Sequence, residues 1–141
     1  MATRGVRGAT TAGRNEAAAI AERTLELLRV LVERNGIRPD ELASATFTVT
    51  ADLDADFPAT PVRSLPGWED VPLLCAREIP VPGSLGRCIR VLLHWNTGKA
   101  QAEIRHAFLR GARSLRPAWA VRVPGDDDEA SVRLPAAGPS P

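Results

Sequence analysis

The chain has 141 residues, 44% hydrophobic and 25% charged, the balance of one ordinary globular domain. Its 18 basic and 17 acidic residues leave a formal charge of +1, which argues against a nucleic-acid binder. No apolar run approaches the roughly 18 residues of a membrane span, and the opening MATRGVRGATT lacks the apolar core of a secretory signal, so the expected location is the cytoplasm.

The stretch from Thr3 to Thr10 reads as a first strand in which Gly5 and Gly8 permit close approach of another backbone or a ligand. A helix follows, because Ile20, Thr24, Leu27, Leu28 and Leu31 recur on one stripe. Asn15 is its expected N-cap, with Glu16 in the first turn, and Asn35-Gly36 its stop. Pro39 begins a single helical turn. From Ala45 to Thr50, Thr46, Thr48 and Thr50 alternate with Phe47 and Val49, the pattern of a half-buried strand.

The proline-rich loop from Asp52 to Trp68 is long for a compact domain, so it is expected to be functional or mobile. Val71 to Ile79 reads as a strand, and Pro80, Pro82 and Gly83 as a turn. Arg87 to Trp95 is the most apolar and most strand-like segment. Gln101 to Arg113 fits a second amphipathic helix through Ile104, Ala107, Phe108 and Ala112. A folded domain is expected over 1–123. From Pro124 to the end, an acidic, proline-rich composition points to a disordered tail over 124–141.

These elements make an α+β domain, a mixed sheet with helices on one face. Apolar residues on both faces of Arg87–Trp95 would leave one face uncovered, which self-association would remedy.

The catalogue of chemistry is short. There is no GxSxG, P-loop or GxGxxG, so neither a serine nucleophile nor a nucleotide cofactor is signalled. Cys75 and Cys88 lack metal-ligand spacing, and a disulfide between them is disfavoured in a reducing compartment. His94 and His106 are isolated and read as structural or solvated. Of the 18 basic residues, 17 are arginine and Lys99 is the one lysine; a GC-rich genome explains the bias, which nevertheless supplies rigid bidentate forks.

Charges within strand-like segments stand out: Arg7, Glu78 and Arg90. An arginine amid CIRVLL needs a partner. The residues alone allow a sheet-edge ion pair of Arg90 with Glu78 or Glu103, or a pocket for an anionic ligand.

Five segments carry a resemblance: RGVRGATT (4–11), DFPATPVRSLPGW (56–68), VPLLCAREIPVPG (71–83), RCIRVLLHWNT (87–97) and IRHAFLRGARSLRP (104–117). In order and spacing they resemble the AroH-class chorismate mutases, over Thr3 to about Trp119. The resemblance implies a mixed sheet with a long helix, a homotrimer with a barrel-like core, and active sites in clefts between subunits. It also implies the rearrangement of chorismate to prephenate in the phenylalanine and tyrosine branch of the shikimate pathway. That reaction is a concerted pericyclic shift, so neither metal nor cofactor is expected, and neither nucleic acid nor membrane as partner.

By the same resemblance, Arg90 is the donor to the ether oxygen and a carboxylate, Arg7 grips the side-chain carboxylate, and Glu78 accepts from the ring hydroxyl. Cys75 matches a position beside that hydroxyl. Its spacing from Glu78 would set the two on opposite faces of a regular strand, so the strand ends or bulges there, or Cys75 reaches ligand through its backbone. Phe57 and Arg63 match residues supplied by the neighbouring subunit, and Leu115 and Arg116 match a segment closing over the pocket. Two positions depart from the family pattern. Phe108 replaces a frequent tyrosine whose hydroxyl reaches the substrate, and Leu74 stands where a polar residue is common. The competing expectations are a Rid/YjgF-like imine deaminase and a non-catalytic carboxylate-binding trimer.

Overall fold

The computed structural model describes residues 1–126 and 130–136. Five strands, β1 (Ala2–Thr11), β2 (Leu42–Val49), β3 (Leu73–Arg77), β4 (Cys88–Thr97) and β5 (Ala107–Phe108), form one sheet in the order β3-β2-β4-β1-β5. β4 runs antiparallel to β1 and β2, while the outer pairs β2–β3 and β1–β5 are parallel, so the sheet is mixed as expected. A single long helix, α1 (Ala17–Asn35), covers one face.

The core lies between α1 and the sheet. Leu27, Leu28 and Leu31 pack with Val6, Ala45, Phe47, Val91, Leu93 and Trp95. Gly8 is required at this contact. A Cβ there would lie 2.7 Å from Leu31 Cδ1 and 3.0 Å from Leu27 Cδ1, so the missing side chain admits the helix. Gly36, at φ 71°, ends α1 in the left-handed region where the sequence places its stop.

The helix start differs from expectation. Glu16 occupies the N-cap without a side-chain cap. Asn15 is engaged elsewhere: its Nδ2 donates to Asp54 Oδ1 at 2.7 Å, and its Oδ1 accepts from the backbone N–H groups of Asp54 and Ala55, each at 3.0 Å. It anchors the long loop rather than the helix.

No helix forms over 101–113. A 3-10 turn (Gln101–Glu103), β5 and a second 3-10 segment (Arg110–Ser114) take its place. The helix-like spacing of Ile104, Ala107, Phe108 and Ala112 is met instead by division between two apolar clusters, Ile104 and Ala107 in one and Phe108 and Ala112 in the other. The backbone joins the sheet, Leu109 N–H donating to Ala9 O at 2.8 Å. Arg110 then turns the chain at φ 52°, clamped by two bonds to Glu26 (2.8 and 3.0 Å) and by the carbonyls of Pro124 and Gly125. Tertiary pairing has overridden a local preference.

The stretch expected to be a free tail begins with a turn at Pro124–Asp126, while 127–129 and 137–141 lie outside the described residues. Within the described part, 130–136 are seated. Gly86 N–H donates to Val132 O at 2.6 Å, Leu134 N–H to Ser84 O at 2.8 Å, and Leu134 is buried. One well-placed leucine and an unpaired loop backbone outweigh the local composition.

Along β4 burial alternates strictly after Ile89. Ile89, Val91, Leu93 and Trp95 are buried on the α1 side, and Arg90, Leu92, His94 and Asn96 are partly buried on the other. The expectation of two apolar faces therefore reduces to Cys88 and Leu92 on the second. No α-helix covers that face among the described residues, although the segment from Phe108 to Trp119 packs on its end at Ala9 and Cys88.

Candidate active site

Arg7, Arg90 and Glu78 converge on this uncovered face. Cross-strand register sets Arg90 opposite both Ala9 on β1 and Thr48 on β2, and Arg7 opposite Leu92. Glu78 lies one residue beyond β3, yet its N–H continues the ladder to Val49 O at 2.8 Å, which holds its backbone in register. Together with Thr46, Thr48, Val91 and Leu92, the three line a cavity of about 390 Å³.

Arg90 Nη1 lies 3.3 Å from Glu78 Oε2, with the side chains 20% and 29% exposed. The ion pair and the anion pocket, alternatives from the residues alone, thus occupy one place. Glu103 is not the partner: it accepts from the backbone of Ala100 at 2.8 Å. Thr48 Oγ1 donates to Glu78 Oε2 at 2.6 Å, a contact no motif marked. The alternation of Thr46, Thr48 and Thr50 was the available signal, since it places Thr48 on the face of Arg90.

Two arginines facing one carboxylate leave a cationic excess. Burial, and then the nearby charge of Arg90, push Arg7 below its ordinary value, with Glu78 opposing and Arg116 adding to the depression. Arginine nonetheless stays protonated. A half-buried site with surplus positive charge and bidentate forks is suited to a small carboxylate-bearing ligand.

Beneath Arg7 lies the ring of Phe108, 5.8 Å from the guanidinium carbon. Phe108 is buried with Ala9, Leu85, Cys88 and Ala112, against which Leu115 and Trp119 pack. Burial pushes the Cys88 thiol up to about 11, so it is no nucleophile at neutral pH. Arg116 sits over the Trp119 ring at 3.8 Å. Phe108, Leu115 and Arg116 thus belong to the cluster beside Arg7, and none of them lines the cavity itself.

The remaining residues lie elsewhere in the single chain. β3 is regular through Cys75 and ends at Arg77 without a bulge, and that end does not bring Cys75 to the face of Glu78. Cys75 is in register with Phe47, and its side chain packs on the α1 side of the sheet, away from Glu78. The backbone is differently placed. Ala45 N–H bonds Pro72 O, and Glu78 N–H bonds Val49 O. Alternate residues of a parallel strand point to alternate neighbours, so the backbone groups of Leu73, Cys75 and Arg77 face the open edge of the sheet. Leu74 is on the face of Glu78 and 64% exposed.

Phe57, also 64% exposed, lines a second cavity of about 500 Å³ together with Cys75, Asp56 and Arg77. Arg63 lies on the 3-10 turn Val62–Ser64. Neither lines the cavity of Arg7, Glu78 and Arg90 within one copy of the chain. The two histidines, read as isolated, both have partners: His94 Nδ1 meets Ser44 Oγ, and His106 Nδ1 accepts from Arg7 N–H, each at 2.9 Å. Among the described residues no group of three or more His, Cys, Asp or Glu side chains could hold a metal ion, and no helix is long and apolar enough to cross a membrane.

The family described as chorismate mutase type I matches residues 3–119. The chain is 52% identical over 115 residues to chorismate mutase AroH of Thermus thermophilus, covering 81% of this chain and 93% of that one. It is 41% identical over 117 residues to chorismate mutase AroH of Bacillus subtilis (strain 168), covering 83% and 92%. A solved chorismate mutase from Clostridium thermocellum superimposes with a TM-score of 0.76 at 47% identity, over 78% of this chain and 97% of that one.

Proposed function

The chain belongs to the type I chorismate mutase family, and we propose that it rearranges chorismate to prephenate in the pocket formed by Arg7, Glu78 and Arg90. The family assignment displaces the imine deaminase reading. The observation that carries the proposal is the Arg90–Glu78 contact of 3.3 Å on the uncovered sheet face, with Arg7 lining the same cavity.

Chorismate is a dianion, and its rearrangement is a concerted shift without proton transfer or a covalent intermediate. Catalysis then consists of holding the reactive diaxial conformer and stabilising charge as it develops. Orientation alone can supply up to ~7–11 kcal/mol in favourable cases. The breaking ether oxygen gains negative charge while the ring becomes more positive, so donors fixed in advance act on the transition state more than on the substrate.

Arg90 supplies that donor. Its fork spans the ether oxygen and a neighbouring carboxylate, for which a flexible ammonium is a poor substitute. Arg7 holds the side-chain carboxylate. Glu78, kept in place by Thr48, accepts from the ring hydroxyl and faces the electron-poor ring. Leu115 and Arg116 close over the ligand.

The second half of the site comes from a neighbouring copy in a homotrimer. Phe57 forms an apolar wall, Arg63 a basic rim, and the edge backbone of Cys75 supplies polar contacts beside Leu74. Trimer formation also covers the open face bearing Leu92. The enzyme works in the cytoplasm and needs neither metal nor cofactor. Loss of chorismate absorbance tests the reading directly. Arg90→Ala and Arg90→Lys should both lower kcat by at least roughly 10²–10³-fold, and near-normal turnover in either would overturn the role of Arg90.

A further inference from the structure

Among the described residues, His106 is the titratable side chain in direct contact with the backbone of a pocket arginine, Arg7. β1 and β5 pair in parallel through Gly8–Ala107 and Ala9–Phe108, and there the ladder stops. At the next position back, Arg7 N–H donates to His106 Nδ1 at 2.9 Å. An imidazole nitrogen takes the place that a strand carbonyl would occupy. The ring is half-buried and stacks on Trp119 with centroids 4.0 Å apart, and Trp119 in turn carries the Arg116 guanidinium at 3.8 Å. Arg7 and Arg116 are thus joined through one histidine and one tryptophan.

We propose that His106 is a positioning residue, whose neutral ring fixes the backbone from which Arg7 reaches substrate and whose protonation releases it. The argument is one of donors and acceptors. Nδ1 accepts only while the ring is neutral, which places its proton on Nε2. Protonation turns Nδ1 into a donor facing another donor, the Arg7 N–H. The groups facing the ring are overwhelmingly cationic. Arg7 comes from β1 and Arg116 from the segment after the second 3-10 element. Arg34, Lys99, Arg105 and the single acid Glu103 surround the cavity that His106 lines on its outer side. Burial first, and then Arg7 and Arg116, hold the ring below the ordinary imidazole range. The depression keeps Nδ1 an acceptor to lower pH than in an ordinary imidazole, and protonation on acidification removes it.

The inference rests on Arg7 gripping substrate, so the test separates the two claims. kcat/KM for chorismate is measured from about pH 7.5 to pH 5, a range in which ordinary carboxylates remain largely ionised. The variants are Arg7→Ala, His106→Ala and His106→Asn. Asparagine offers an oxygen near the position of Nδ1 and does not titrate. The expected result is a wild-type acid limb that sets in below the ordinary imidazole range, an activity within about threefold of wild type for His106→Asn at pH 7.5, and a flattened limb for that variant. His106→Ala should lose roughly 10–100-fold, mainly through KM, because a misplaced group is nearly as costly as a missing one. If Arg7→Ala is severely impaired while the His106→Asn limb superimposes on the wild type, His106 is not the positioning group and the inference fails alone. If Arg7→Ala is fully active, the reading of Arg7 fails first. Should His106→Ala not fold, the pH profile of His106→Asn decides the matter.

Discussion

Glu78 Oε2 receives the Thr48 hydroxyl at 2.6 Å and, from the other side, Arg90 Nη1 at 3.3 Å. The carboxylate is thereby held between β2 and β4, and the free rotation of a residue beyond a strand end is removed. A hydrogen bond to a charged group is worth roughly 1.5–3 kcal/mol. Thr48→Val keeps the β-branched shape that the strand favours while removing the donor. The expected outcome is a fall in kcat/KM of about tenfold with the melting temperature nearly unchanged. Steady-state kinetics with a thermal melt checks it, and unaltered kinetics would show that Arg90 alone suffices to hold Glu78.

The Phe108 ring, packed edge-on to Trp119 at 5.7 Å and lying 5.8 Å from the Arg7 guanidinium carbon, carries no hydroxyl. Phe108→Tyr supplies one beside the Arg7 guanidinium. The expected outcome is a lower KM, worth up to about tenfold in kcat/KM, with kcat little changed. An unchanged KM would remove position 108 from the substrate-binding set.

The proposed division of the site between copies has a consequence that no single-chain site shares. Arg90→Ala disables one half, and the pair Phe57→Ala with Arg63→Ala disables the other. Each variant alone should be nearly inert. Co-assembled in equal amounts, they should recover about one quarter of wild-type activity, since random pairing joins two intact halves at about one interface in four. Failure to recover any activity, in an assembly verified as mixed by mass, would mean that Phe57 and Arg63 serve the same half-site as Arg90 or none.

The legibility of these features follows from where their causes lie. Arg7 and Arg90 were visible because a charge inside an alternating apolar strand has few tolerable environments. Gly36 and the stripe of α1 were visible because local geometry decides them. The region 101–113 was misread because Ile104, Ala107, Phe108 and Ala112 satisfy a helical period and a split between two clusters equally well. Asn15 was misread because a good N-cap is also a good loop anchor. The role of His106 left no trace at all: its partner is a backbone N–H far away in sequence, and every residue but proline carries one.

Gly8 tests how tightly the helix sets the sheet. A methyl group there meets Leu31, Leu27 and Val91 at 2.7, 3.0 and 3.1 Å. Overpacking of this kind costs about 1–3 kcal/mol. Gly8→Ala should therefore lower the urea midpoint without changing the slope. Because Arg7 is its chain neighbour, KM should rise as well. A midpoint equal to wild type would show that the leucine tips yield freely.

The seated segment 130–136 should matter to stability and not to turnover. It buries Leu134 and closes three backbone bonds with the loop 83–86, at Gly83, Ser84 and Gly86. Burying a leucine contributes about 1.5–3 kcal/mol, reduced by the entropy of ordering the segment. A chain ending at Asp126 keeps the Pro124 and Gly125 carbonyls that Arg110 requires. It should melt lower, by roughly 4 °C for each kcal/mol lost, with kcat preserved. A chain ending at Val123 strips both carbonyls from a buried guanidinium and leaves it only Glu26, so its loss should be clearly greater. Thermal melts of the two truncations decide the matter: equal melting temperatures would mean that the clamp at Arg110 contributes nothing beyond its pair with Glu26.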